Sequence, residues 1–313
     1  MRTGIARWYW AYLGGLSWVL AVGLVLSGCL QAQPAVLPSP LPGVPVVSSS
    51  PVPTQALALL PRPLNDVPEH LPSSLTGPLS NFTINNDIRA DYIDLPFQGL
   101  LIWTGITWDG AEHIWVANNE MKVIVGFSIP KAKQERMVPF PSDLKTPATV
   151  TGLTWDGAHF WIADAEHQMI YQIDALTGKT LRGFAYSGLA NGLVWDGDSL
   201  WLVSQTNRAL EHFSAEGERL GSLSIPGNWP SGLAWDGRYF WYSDANQGAV
   251  YLLNPATGKV SEVTAFKFMM NQGTFNGLAW MHGYLWIVTE FHERLHRVDV
   301  SQLDWKTLEA ALQ

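Results

Sequence analysis

Apolar and polar positions alternate along this chain in short runs, and the runs recur. A Gly-Leu-x-Trp run meets an Asp-Gly pair and is followed by a second apolar run centred on another Trp. The copies read TGLTWDGAHFW (151–161), NGLVWDGDSLW (191–201) and SGLAWDGRYFW (231–241). A looser copy precedes them, TGITWDGAEHIW (104–115), and a degenerate one follows, NGLAWMHGYLW (276–286). Alternation with a period of two predicts half-buried strands. The Asp-Gly pair between two such runs predicts a hairpin, because both central positions tolerate positive φ. A third run comes next in each copy (123–127, 170–174, 210–214, 250–254 and 295–299), then a turn such as Thr177-Gly178-Lys179, then a weak fourth run.

The leading glycines are Gly105, Gly152, Gly192, Gly232 and Gly277, so the repeat steps by 47, 40, 40 and 45 residues. Four short strands per repeat at that period predict an all-β fold, a β-propeller with five blades of four antiparallel strands. The fifth copy lacks its own fourth strand, since residues 304–313 read as a short helix. The segment 91–96 (DYIDLP) resembles a fourth strand without a blade, so an N-terminal strand is expected to complete blade five and close the ring. Residues 81–104 are too few for a sixth blade, and a six-bladed ring is the alternative.

Ten of the 13 tryptophans after residue 28 are the paired repeat positions. Every copy keeps the pair, whereas a stacking site would need only some, so the pairs predict packing between blades. Asp109, Asp156, Asp196 and Asp236 read first as turn residues.

Chemistry is then sought at the loops that share one face of a propeller. Two rows of small polar residues fall there: Thr104, Thr151, Asn191, Ser231 and Asn276 before the repeat glycine, and Asn118, Asp164, Ser204, Asp244 and Thr289 three residues after the second Trp. Small polar residues at strand ends commonly satisfy backbone groups. Asymmetry marks the sharper candidates. The loops after the second strand carry Glu120, then Glu166 and His167, then Glu290, His292 and Glu293, in three blades contiguous around a closed ring. Glu166, His167 and Glu290 are the catalytic candidates. Asn118, Asp164, Asn191, Asp244, Asn276 and Glu290 are the ligand-binding candidates, with Ca2+ or another divalent ion conceivable in the central channel.

His292-Glu293-Arg294-Leu295-His296 matches the zinc-peptidase pattern His-Glu-x-x-His, but the repeat alignment puts His296 inside a strand. Residues four apart on a strand are separated by roughly 13 Å, too far for both to reach a zinc with bonds of about 2 Å. No phosphate-binding Gly-Lys-Ser/Thr loop or Gly-x-Ser-x-Gly elbow is present.

Composition adds an address. Arg2 and Arg7 precede an apolar stretch over 11–26, and the next residues are Leu26-Ser27-Gly28-Cys29. This resembles a bacterial lipobox and implies a signal peptide over 1–28, cleavage before Cys29 and acylation of that residue, the only cysteine of the chain. Two or three acyl chains would anchor the protein durably to a membrane. Residues 31–80 hold 12 of the 20 prolines and predict a disordered tether over 29–80, ahead of a propeller domain over 81–313. The expectation is an extracytoplasmic, monomeric lipoprotein. The net charge of −8, without a basic run, argues against nucleic acid as a partner.

The repeat text Gly-Leu-x-Trp-Asp-Gly, Leu-Trp-x-x-Asp, Ile-Tyr-x-Ile-Asp and Thr-Gly-Lys resembles bacterial propellers grouped with NHL, SMP-30-like lactonase and glutamine cyclotransferase proteins, over residues 91–303. The lactonase resemblance implies a divalent metal held by Glu, Asn and Asp side chains, for which Asn191, Asp244 and Glu290 are residues of the right type. The cyclotransferase resemblance implies conversion of N-terminal Gln to pyroglutamate. Regular repeats without a distinctive acid–base pair favour a third reading, a non-enzymatic module that binds an envelope protein, a peptide or a small molecule.

Overall fold

The computed structural model describes residues 80–84, 88–94, 103–131, 133–264, 266, 275–289 and 294–313. The signal segment, Cys29 and nearly all of the tether lie outside the described residues, as do Glu290, His292 and Glu293.

The described strands form five antiparallel sheets, as the period requires. An N-terminal hairpin, β1 (Ser80–Ile84) and β2 (Ile88–Asp94), precedes blade 1: β3 (Trp103–Trp108), β4 (His113–Asn118), β5 (Val123–Ser128) and β6 (Lys133–Pro139). Blade 2 is β7 (Val150–Trp155), β8 (Phe160–Asp164), β9 (Met169–Ile173) and β10 (Thr180–Ala185). Blade 3 is β11 (Ala190–Trp195), β12 (Leu200–Ser204), β13 (Ala209–Phe213) and β14 (Arg219–Ser224). Blade 4 is β15 (Pro230–Trp235), β16 (Phe240–Asp244), β17 (Ala249–Leu253) and β18 (Val260–Glu262). Blade 5 has β19 (Phe275–Met281), β20 (Tyr284–Thr289) and β21 (Arg294–Asp299), and β2 supplies its fourth strand. The expected closure is therefore present, with Tyr92 opposite His296 and Asp94 opposite Arg294. One strand was not anticipated: β1 pairs outside β2 and gives blade 5 a fifth strand. Asn81-Phe82-Thr83-Ile84 alternates as a strand should, but it adjoins the proline-rich stretch and belongs to no repeat.

The innermost strands β3, β7, β11, β15 and β19 contact one another in turn, and β19 returns to β3. Each carries a bulge at the same place, where the small polar residue and the repeat glycine together oppose a single residue of the next strand; Val150 pairs with Asp164 and Gly152 with Ala163, leaving Thr151 extra. A bulge re-aims a side chain, and here it aims the polar residue at the neighbouring blade. Thr104 Oγ1 donates to Val150 O (2.8 Å), Thr151 Oγ1 to Ala190 O, Asn191 Nδ2 to Pro230 O (3.1 Å), Ser231 Oγ to Phe275 O (2.7 Å) and Asn276 Nδ2 to Trp103 O (3.1 Å). The five bonds make an unbroken belt around the axis, each contributing about 1 kcal/mol.

The Trp-Asp-Gly motif is a second repeated device. The aspartates stay out of the positive-φ region, which only the following glycine enters, as at Gly157 (φ 101). The turn is thus a four-residue loop held by the Asp side chain, rather than the two-residue hairpin expected from Asp-Gly. Asp156 Oδ1 accepts from the backbone N–H of Ala158 and His159, while its Oδ2 accepts from Trp161 Nε1 at 2.9 Å. The same clasp joins Asp109 to Trp115, Asp196 to Trp201 and Asp236 to Trp241. Blade 5 has Met281 instead of Asp, and Trp286 Nε1 is buried without an acceptor among the described residues. The rings pack blade to blade: Trp195 stacks on Trp161 (centroids 6.5 Å apart), Trp280 on Trp241 (5.8 Å), and Trp115 meets Phe160 edge-on (5.0 Å).

The chain ends in α1 (Trp305–Leu312), N-capped by Asp304, whose side chain accepts from Thr307 N. Leu312 is buried, its carbonyl takes bonds from Asn254 Nδ2 and Thr257 Oγ1, and Arg238 pairs with Glu309, so the helix covers the turn side of blade 4. His296 lies in β21, fully buried, with Nε2 3.2 Å from Thr289 Oγ1. The position of this second histidine on a strand removes the helical geometry that the zinc-peptidase pattern needs.

Candidate functional site

The axis is the first place to look, and it is closed. The space between the five repeat glycines, which Leu193, Asn191 and Asn276 also line, is too narrow to admit a water molecule. The two asparagines donate to the belt. Among the described residues no Asp, Glu, His or Cys lines this space, and no three such side chains gather as a metal site.

The second row of candidates shapes the loops. Asn118, Asp164, Ser204, Asp244 and Thr289 are all buried at the ends of their strands. Asn118 Oδ1 accepts from the N–H of Glu120 and Met121. Asp244 accepts four backbone N–H bonds, from Asn228 and Trp229 on Oδ2 and from Asn246 and Gln247 on Oδ1. Its acceptor capacity is spent on joining two loops of blade 4, which leaves little for a ligand.

Asp164 differs. Its Oδ1 accepts from Thr149 N (2.9 Å) and Glu166 N (3.0 Å), while Oδ2 faces His167 Nδ1 at 2.5 Å. His167 Nε2 in turn lies 2.8 Å from Thr146 Oγ1. His167 is half-buried, whereas Thr146 and Glu166 are exposed. Strand β9 backs the site: burial pushes the Tyr171 hydroxyl up to about 12, and the negative charge of Asp164 and Asp143 adds to the shift, so this phenol stays protonated. The fold thus brings Asp164 and His167 together with a residue that the repeat alignment missed. Thr146 lies in the connection 140–149, where the first repeat step is 47 residues rather than 40. That excess length was the available signal, because an insertion in an otherwise regular ring is a local asymmetry.

Three large apolar side chains are exposed on the same face: Met121 after β4, Leu189 before β11 and Trp229 before β15, the last 45% exposed. Of the other candidates, Asn191 and Asn276 belong to the belt, Asn118 and Asp244 to their loops, and Glu290 lies outside the described residues.

The opposite face carries a contrasting cluster. His212 stacks on Trp201 (4.0 Å between centroids), and its Nε2 is 2.6 Å from Ser199 Oγ. Burial lowers its pKa, with Asp196 and Asp198 pulling the other way. The folded protein therefore binds a proton here less readily than the unfolded chain, and the stability this site contributes is lost as pH falls below the ordinary histidine value of about 6.5. His212→Gln, which copies Gln172 of blade 2, should flatten the fall in urea midpoint between neutral and mildly acidic pH. An unchanged pH slope would refute the assignment.

No family model matches the sequence, and no curated protein matches it. Solved structures do match by shape. The Myxococcus xanthus glutaminyl cyclase overlays with a TM-score of 0.54 at 17% identity, over 67% of this chain and 95% of that one. A streptogramin B lyase gives 0.44 at 12% identity over 69% and 99% of the two chains, and the Staphylococcus aureus virginiamycin B lyase crystallised with quinupristin gives 0.42 at 16% over 70% and 75%. At these identities the likeness concerns architecture: the chain is a five-bladed β-propeller similar in fold to glutaminyl cyclase.

Proposed function

We propose that this protein is a membrane-tethered binding module whose loop-bearing face takes a peptide or small ligand beside Trp229. The closed axis carries this reading. A ring too tight for water cannot hold a ligand within it, so recognition falls to the face, where Met121, Leu189 and Trp229 stay exposed despite the cost of leaving apolar surface in water. An indole offers a large contact area at low entropic cost. Acylation of Cys29 would hold the domain at an extracytoplasmic membrane surface, and the proline-rich segment would let that face reach envelope partners. Cys29→Ser should release the protein from the membrane fraction without detergent. Trp229→Ala should weaken capture of envelope peptides by about tenfold or more, the loss expected for a central aromatic anchor. Retained binding would refute the assignment of this face.

A second reading, cyclisation of N-terminal glutamine, is supported by the shape match to a glutaminyl cyclase and by the imidazole and carboxylates of the blade 2 loop. A Gln-initiated peptide incubated with the protein should then lose ammonia, and His167→Ala should abolish the reaction. Absence of any cyclised product would remove this reading.

A further inference from the structure

Adjacent blades each assemble a hydroxyl, an imidazole and a carboxylate, and the order of the three decides what they can do. In blade 3, Ser199 stands between the other two: its Oγ is 2.6 Å from His212 Nε2 and 3.0 Å from Asp196 Oδ2. The carboxylate touches the serine instead of the imidazole, and Ser199 is buried, so no substrate reaches it. In blade 2 the order is carboxylate, imidazole, hydroxyl. Asp164 cannot turn, because its Oδ1 is held by two backbone N–H groups while Oδ2 faces His167 Nδ1. A carboxylate only accepts, so the contact with Oδ2 is a hydrogen bond when Nδ1 carries the ring proton. Nε2 then presents its lone pair to Thr146 Oγ1, 2.8 Å away. This is the connectivity by which a general base activates a hydroxyl nucleophile. Thr146, unlike Ser199, is exposed. Two ammonium groups attach to its loop: Lys145 is its neighbour in sequence, and Lys122 Nζ bonds Ala148 O at 3.0 Å.

We propose that Thr146 is a nucleophile activated by His167, and that this site hydrolyses small esters through an acyl-threonine intermediate. The activity goes beyond the binding reading and does not depend on it. Thr146 Oγ1 attacks the ester carbonyl carbon while its proton passes to His167 Nε2. Collapse of the tetrahedral species breaks the bond to the alcohol oxygen, and the alcohol leaves with that proton. Water then adds to the acyl group, losing its proton to His167 Nε2. The carbonyl carbon–Oγ1 bond breaks, the acid departs, and Oγ1 recovers the proton. The sum is ester plus water giving acid plus alcohol, with no change of oxidation state. Asp164 holds the ring in the productive tautomer throughout.

The test uses the full-length protein in detergent with p-nitrophenyl acetate as probe, reading nitrophenolate release and the site of acetylation by peptide mass mapping. Acetyl on Thr146 is expected, with release at least about 100-fold slower in Thr146→Ala and His167→Ala, the scale of a lost nucleophile or general base. Thr146→Ser should keep both signals. Added imidazole should restore part of the rate to His167→Ala, a recovery that a histidine merely bracing the loop would not show. The proposal is overturned if Thr146 is not acetylated, if only Lys122 or Lys145 is, or if His167→Ala reacts at the rate of the unsubstituted protein.

Discussion

Gly192→Val is expected to abolish the folded propeller, while Gly221→Val leaves it intact. A Cβ on Gly192 would sit 2.9 Å from Leu233 N and 3.0 Å from Leu233 Cβ, and nearer still to Ser231 O. These atoms belong chiefly to the backbone of the next blade, so they cannot swing aside as a side chain would. The other four repeat glycines face the same obstruction: Gly152 meets Leu193, Gly232 meets Leu278 N at 2.7 Å, Gly277 meets Thr104 O at 2.7 Å, and Gly105 is closest of all to Leu153 N. Relief would require spreading the ring, which breaks belt bonds and separates the packed faces together. Ordinary overpacking costs about 1–3 kcal/mol. Here the backbone must move and the ring is closed, so the loss should exceed that range and consume most of a typical stability of about 5–15 kcal/mol. Gly221 lies on the outer strand β14 with open space around its Cβ position, and its substitution should change stability by no more than about 0.5 kcal/mol. Urea unfolding followed by Trp fluorescence compares the two. A cooperative transition of normal midpoint in Gly192→Val would show that the inner strands do not abut as described.

The second large effect belongs to the tryptophans. Trp241 is fully buried, stacks on Trp280, meets Trp305 edge-on at 5.9 Å and donates to Asp236 Oδ2 at 2.7 Å. Trp241→Ala opens a cavity where two blades and α1 converge and should cost about 3–5 kcal/mol. Trp241→Phe keeps most of the packing but leaves Asp236 short of a donor, in surroundings whose burial already raises its pKa; a loss of about 1–3 kcal/mol is expected. Trp229→Ala removes an indole of the same size from the exposed loop and should leave the urea midpoint nearly unchanged. The contrast separates a packing tryptophan from an exposed one. Equal losses for Trp241→Ala and Trp229→Ala would erase that distinction.

Much of the architecture was legible because the repeat is its own ruler. Alternation located the strands, the spacing of the glycines counted the blades, and the unpaired strand before Gly105 indicated closure. The two polar rows were visible as rows, yet their work was not. Thr151 and Asn191 resemble channel-mouth ligands until the bulges turn them toward the carbonyls of Ala190 and Pro230. Asp164 and Asp244 are the same residue at the same repeat position. Asp244 spends its carboxylate on four backbone N–H groups, and Asp164 keeps an oxygen for His167, because the residue three further on is a histidine in blade 2 and Gln247 in blade 4.

The sequence by itself therefore determined the order of the four repeated strands, the number of blades and the packing role of the tryptophan pairs, since each follows from local periodicity repeated at a nearly constant interval, whereas β1 belongs to no repeat. Tertiary structure alone decided that the axis is shut, that the polar residue before each glycine belongs to an inter-blade belt, and that Thr146 meets His167. Those outcomes join residues of neighbouring blades. Whether a side chain faces a ligand or a carbonyl there depends on the closeness of the inner strands, a distance set by ring closure and by no single repeat.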